Sequence, residues 1–136
     1  MQREEAFEYV DKQKLAGDKL IGVCFTQLPP KFWLFALIGP IAVFAMKYYN
    51  LGVSEKGLYF CRLGILGKFT GTNDFFPFED FESISIGSGK LQRTIKILFR
   101  NGKKLKLKAQ RAGGEKVAVL TDEMQDLINA KVPERQ

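Results

Sequence analysis

The chain is 136 residues long, enough for one domain with a proper core and too short for two. Its 46% apolar and 26% charged residues exclude collagen-like, disordered and disulfide-dense classes. Histidine is absent, so the usual general base near neutral pH and the commonest metal ligand are both missing. Two cysteines, Cys24 and Cys61, make neither a zinc site nor a disulfide framework and suit a reduced, cytoplasmic setting.

The net charge of +6 is unevenly placed. Residues 1–50 carry six basic and five acidic side chains, whereas Lys90 to Lys116 holds ten basic residues against one acid, Glu115. Asp74, Glu79, Asp80 and Glu82 form a short acidic stretch just upstream. A concentrated positive field attracts phosphates on lipid, nucleic acid or an acidic protein. The plainer alternative is a lysine-rich strand face that keeps a sheet edge from aggregating.

Glu4 to Leu20 reads as a helix, with Ala6, Phe7 and Val10 on one side and Gly17 as its stop. No cleavage-site pattern or long apolar core marks a secretory signal there. Leu20 to Leu28 is a first strand, ended by Pro29-Pro30. The expected organisation is a helix over 1–19, a domain over 20–131 and a disordered tail over 132–136.

Phe32 to Met46 is fifteen residues without a charge, bracketed by Lys31 and Lys47. Trp33 at one end and Tyr48-Tyr49 at the other stand where interfacial aromatics are expected. A helix of this length rises only about 22 Å against a hydrocarbon core of about 30 Å, and Gly39-Pro40 interrupts it. Three readings stay open: a buried core element, an interfacial or re-entrant insert, and a short strained span. The candidate contact residues are Phe32, Trp33, Phe35, Ile38, Ile41, Phe44, Tyr48 and Tyr49.

From Tyr48 onward the pattern is β. Tyr48 to Ser54 and Leu58 to Leu63 are joined by Glu55-Lys56-Gly57; Gly64 to Gly71 is a glycine-punctuated connection. Asp74 to Phe78 is an aromatic stretch whose Pro77 favours an edge or a strand end. Phe81 to Ile86 follows, broken by Gly87-Ser88-Gly89-Lys90. That tetrapeptide looks superficially like a phosphate loop, but Ile84 stands at the required earlier glycine and Leu91 at the required Ser or Thr. It reads as a turn.

Ile95, Ile97 and Phe99, then Leu105 and Leu107, alternate with polar residues around Asn101-Gly102. A two-residue Asn-Gly turn would set Ile97 opposite Lys106 and mix core with solvent. A three-residue loop, Arg100-Asn101-Gly102 with Gly102 left-handed, sets Ile97 opposite Leu105 and Ile95 opposite Leu107. It also sets Lys96 opposite Lys106, a like-charge pair that an anion would relieve. The chain closes with a helix from about Glu115 to Ala130, whose Val117, Leu120, Met124, Leu127 and Ile128 make one apolar stripe.

About seven strands followed by one amphipathic helix make a mainly β (α+β) barrel or sandwich with a helical plug. From about Tyr48 to Ile128 the chain resembles the bacterial pleckstrin-homology-like domains. The resemblance is carried by Val53-Ser54-Glu55-Lys56-Gly57-Leu58-Tyr59-Phe60, by Phe75-Phe76-Pro77-Phe78-Glu79-Asp80-Phe81-Glu82-Ser83-Ile84, and by the hairpin and helix just described. It implies a seven-stranded bent barrel capped by the last helix, in a family of mostly non-enzymatic domains that bind lipid head groups, proteins or themselves. It also implies that 32–46 lies between the first two strands, the membrane-facing connection of lipid-binding members. Phosphoinositide binders place a basic motif on those strands; here only Lys31 and Lys47 flank the insert, and Lys56 and Arg62 are isolated. Specific inositide recognition is therefore not implied.

Glu79, Asp80 and Glu82 lack an identifiable helper group, so neither catalysis nor a metal or other cofactor is expected. Binding is. One expectation is a module on the inner face of the membrane, held by the apolar insert and by Lys31, Lys47, Lys96, Lys104, Lys106 and Lys108. The alternative is a protein-interaction or self-association domain, including a homo-oligomer, with the insert buried. Nucleic-acid binding ranks last, because the lysine face carries no aromatic for base stacking.

Overall fold

Alternating apolar residues become strands almost where the sequence places them. The computed structural model describes residues 2–29, 47–113 and 116–133. Phe32, Trp33, Phe35, Ile38, Ile41, Phe44 and Lys31 lie outside the described residues. The strands are β1 (Leu20–Leu28), β2 (Lys47–Ser54), β3 (Gly57–Leu63), β4 (Phe69–Pro77), β5 (Phe81–Ile86), β6 (Gln92–Phe99) and β7 (Lys104–Gln110). They form one ladder in the order β4-β3-β2-β1-β7-β6-β5, antiparallel at every pairing.

The ladder is joined by a short pairing at one place and open at another. β1 meets β7 only at Thr26↔Ala109 and Gln27↔Lys108, and β4 and β5, at the two ends of the order, share no pairing. A short 3₁₀ turn, Phe78–Asp80, carries the chain between those two edges. The result is a pleckstrin-homology-like bent sandwich, as the resemblance implies. Leu51, Val53, Leu58, Phe60, Phe81, Ile84, Ile95, Ile97 and Leu107 fill its interior.

Two helices complete the layers. Helix α1 (Arg3–Gln13) has Glu4 and Glu5 in its first turn and Lys12 in its last, charges that suit the helix dipole. It buries Ala6 and Val10 against Leu20, Val23, Tyr59 and Cys61, on the outer face of the sheet. β3 is therefore covered on both faces, with Leu58 and Phe60 turned inward and Tyr59 and Cys61 under α1. Gly52 permits the close approach: a Cβ there would stand 2.7 Å from Cγ1 of Val10.

Several boundaries differ from the sequence expectation, among them the start of β4 at Phe69 rather than Asp74. α1 stops at Gln13, not at Leu20, because Leu15 N–H turns to donate to the Tyr59 hydroxyl (2.9 Å) and Gly17, at φ +81°, closes a separate turn. Phe7 is 36% exposed and does not share the buried face of Ala6 and Val10. The last helix, α2 (Asp122–Lys131), starts seven residues later than Glu115, capped by the Thr121 hydroxyl, which accepts from Met124 N–H. The residues before it run extended into the gap between β1 and β7: Phe25 N–H donates to Ala118 O, and Leu120 N–H to Gln110 O. Leu120, Met124, Ile128 and Val132 then plug the sandwich. Val132 is buried and Pro133 O accepts from Ile84 N–H, so the chain stays on the domain past residue 131.

A buried polar knot ties α1's exit to the β2–β3 turn. Asp18 accepts from the Tyr59 hydroxyl (2.6 Å) and from the backbone N–H of Lys19 (2.8 Å) and Lys56 (3.2 Å). Burial raises the Asp18 carboxyl, but the bonds from Tyr59, Ser54 and the two N–H groups outweigh it and hold the group below its ordinary value. The Tyr59 hydroxyl is pushed up to about 12, by burial and then by Asp18.

Candidate functional site

The β6–β7 hairpin has the register that core matching demands. Ile97 faces Leu105, Ile95 faces Leu107, and Thr94, Lys96 and Leu98 pair with Lys108, Lys106 and Lys104. Gly102, at φ +89°, closes the three-residue loop, with Phe99 N–H on Lys103 O and Gly102 N–H on Phe99 O. Because successive strand residues alternate in face, Ile95, Ile97 and Leu107 go to the core and the lysines go outward.

β5 extends that outer face. Ser83 lies opposite Leu98 and Ser85 opposite Lys96. A shallow cleft of about 480 Å³ follows, lined by Ser83, Ser85, Lys96, Leu98, Lys104 and Lys106 together with Ile97 and Leu105. Two hydroxyls and three ammonium groups there offer only donors to an anion from their charged groups. Lys108 is exposed on the same strand but stands outside this cleft.

The arginines of the basic stretch are occupied within the fold. Arg93 bonds Gly89 O and the Gln125 side chain; Arg100 donates to Glu79 O (2.6 Å) and through its backbone to Asp80 O. Arg111 bonds Leu120 O and pairs with Asp122 at 2.5 Å. Lys96, Lys104, Lys106 and Lys108 make no ion pair with any described residue. The free positive charge is thus concentrated in the lysines, on one face.

A second cleft, of about 320 Å³, lies where the tip of the β6–β7 hairpin meets β2, β3 and β4. Tyr49, Phe60, Asp74 and Phe76 line one side, and Phe99, Asn101, Lys103, Lys104 and Leu105 the other. Tyr49 meets Phe60 edge-on and Phe76 meets Phe99 edge-on. Lys104 borders both clefts. Tyr49 stands two residues after Lys47, the first residue of β2 and the point where the chain returns from the insert. The basic hairpin tip and the exit of the insert therefore occupy one neighbourhood of the fold.

Tyr48 and Tyr49 do not act as a pair. As neighbours on one strand they point to opposite faces: Tyr49 packs on the core, while Tyr48 stacks on Phe25 with ring centroids 5.9 Å apart. Lys47 is exposed. Glu79 and Asp80 lie on the 3₁₀ turn and Glu82 on β5, all exposed, and among the described residues no group of three or more His, Cys, Asp or Glu side chains is placed to hold a metal ion. Gly87 to Lys90 is the β5–β6 connection, its first N–H bonded to Thr94 O. Cys24 and Cys61 are fully buried. Burial pushes Cys24 up to about 12, and burial with Asp74 nearby pushes Cys61 up to about 11.

Ser83 and Ser85 carry no charge signal in the sequence, and only the strand pairing brings them to the lysines; Lys103 belongs to the basic stretch, and the fold brings it to Tyr49. For Ser83 and Ser85 the alternation in Phe81–Ile86 was the available clue.

No protein-family model matches this chain, and no curated protein does. Among solved structures, the hSac2 domain from human phosphoinositide phosphatase Sac2 is similar, with a TM-score of 0.56 and 16% identity over 94% of this chain and 79% of that one. The two share a fold. Among the described residues, no helix is long and apolar enough to cross a membrane.

Proposed function

We propose that this chain is a non-enzymatic binding module of the bacterial pleckstrin-homology-like type that docks on the anionic inner face of the cell membrane. The observation that carries the reading is the meeting of Tyr49, beside the insert's exit, with Lys103 and Lys104 of the hairpin tip around one cleft. Apolar residues of the insert supply the hydrophobic contact, and Lys47, Lys96, Lys104 and Lys106 meet lipid phosphates. Each basic residue near such a surface contributes about 1 kcal/mol. The fold shared with a domain of a phosphoinositide phosphatase supports a lipid-facing role. Absence of a basic motif on β1 and β2 argues for charge attraction over recognition of one head group.

The test is cosedimentation with phosphatidylserine vesicles of the wild type and of a Lys104→Glu, Lys106→Glu variant. Both side chains are exposed, so the fold tolerates the change. Loss of most binding is expected at low salt. A variant that binds as tightly as the wild type would remove the hairpin from the proposal.

A further inference from the structure

Gly64 to Lys68 turns the chain from β3 into β4. Its two apolar residues, Ile65 and Leu66, are 71% and 87% exposed. A single apolar side chain in water is ordinary on a protein surface. Two in succession at a protruding tip, with neither packed on a core cluster, call for a reason.

The turn holds them there. Gly67 N–H donates to Gly64 O (2.9 Å), Gly64 N–H donates to Lys68 O (2.8 Å), and Gly67 has φ +79°, a conformation that glycine adopts without penalty. The tip is thus preformed, and little order is lost when it meets a partner. Its place is equally specific. Leu63 lies opposite Tyr48, so the turn begins beside Lys47, where the chain comes back from the apolar insert. Lys47 and Lys68 are exposed and make no ion pair with a described residue.

We infer that Ile65 and Leu66 form a second membrane-contact element, a rigid apolar tip that enters the boundary between head groups and acyl chains of a lipid bilayer. Lys47 and Lys68 flank it, their stems along the apolar side and their ammonium groups on the phosphates. The inference rests on the membrane reading above and adds a contact from a different loop.

A Leu66→Cys variant carrying an environment-sensitive fluorophore tests it. Cys24 and Cys61 are buried with raised thiol pKa values, so the label goes to position 66. Leu15→Cys is the control: Leu15 is 47% exposed and lies beside Glu55 and Lys56, at the far end of the β2–β3 hairpin. With vesicles of phosphatidylcholine and phosphatidylserine, the label at 66 is expected to brighten and shift to the blue while the label at 15 stays in water. Ile65→Ser with Leu66→Ser is expected to weaken vesicle partitioning at high salt by at least about tenfold. A label at 66 that stays in water while the wild type binds vesicles would overturn the inference and leave the membrane reading standing. A double variant that binds vesicles normally but loses mass in lipid-free sedimentation would overturn it in favour of self-contact. Wild type that binds no vesicle would overturn both.

Discussion

Lys96 and Lys106 face each other across β6 and β7, and that pair sets stability against binding. The closing contact, Phe99 N–H to Lys103 O at 2.9 Å, fixes the alternation of the ladder. Counting from it, Lys96–Lys106 is a non-hydrogen-bonded pair, the type in which Cα atoms approach about 4.5 Å and side chains lie closest. Lys106→Glu exchanges repulsion for attraction. With about 0.2–1 kcal/mol for a cross-strand charge pair of either sign, the change stabilises by about 1 kcal/mol at low salt. Salt screens part of this. The melting temperature is expected to rise by about 3 °C. Binding should move the other way. Losing one positive charge and gaining one negative near an anionic leaflet costs about 2 kcal/mol, or roughly thirtyfold in affinity. Thermal melts and vesicle cosedimentation on one preparation check both halves. A variant that melts lower, or that binds unchanged, would refute the idea that these lysines face each other for the sake of an anionic partner.

Three further outcomes follow from the packing. Asp18→Asn leaves one accepting oxygen where two now serve, Oδ2 for the Tyr59 hydroxyl and Oδ1 for the N–H groups of Lys19 and Lys56, and is expected to cost about 1–3 kcal/mol at pH 7. Because the folded carboxyl sits below its ordinary value, its contribution is complete above about pH 4 and disappears as pH falls through the folded value. Denaturant melts against pH should show a flatter acid limb in the variant; an unchanged limb would contradict the assignment. Gly52→Ala drives a methyl to within 2.7 Å of Val10 and is expected to cost about 1–3 kcal/mol and expose α1 to limited proteolysis. An α1 as protected as in the wild type would show that the helix does not depend on this contact. Native protein should resist thiol-specific reagents at neutral pH, since both cysteines are buried and raised; rapid labelling of either would contradict their placement.

Local rules carried much of the fold. Leu20–Leu28 is bounded as expected because Pro29 follows it, and the hairpin register follows from requiring apolar residues to meet apolar partners across Gly102. What local rules missed depends on distant partners. Val117 and Leu120 have helical spacing with Met124, yet an unpaired stretch between β1 and β7 takes Ala118 and Leu120 as extended backbone. Thr121, followed by Asp122 and Glu123, was the local signal for the later start. Phe69 to Thr72 looks like loop, with its glycine and threonines, and becomes strand because β3 offers an unpaired edge: Phe69 sits opposite Leu63. The candidate site divides in the same way. Its lysines were legible from charge and alternation. Ser83 and Ser85, and the nearness of Lys103 to Tyr49, depend on the bend of the sandwich, which residue spacing does not encode.

Flotation of the purified, detergent-free protein with neutral and with anionic vesicles, at low and high salt, bears most directly on the membrane reading. Flotation with anionic vesicles at low salt, weakened but persisting at high salt, is expected, because lysine attraction is screened and apolar contact is not. Protein that stays at the bottom of the gradient in all four conditions would contradict the reading and leave a protein-interaction domain in its place.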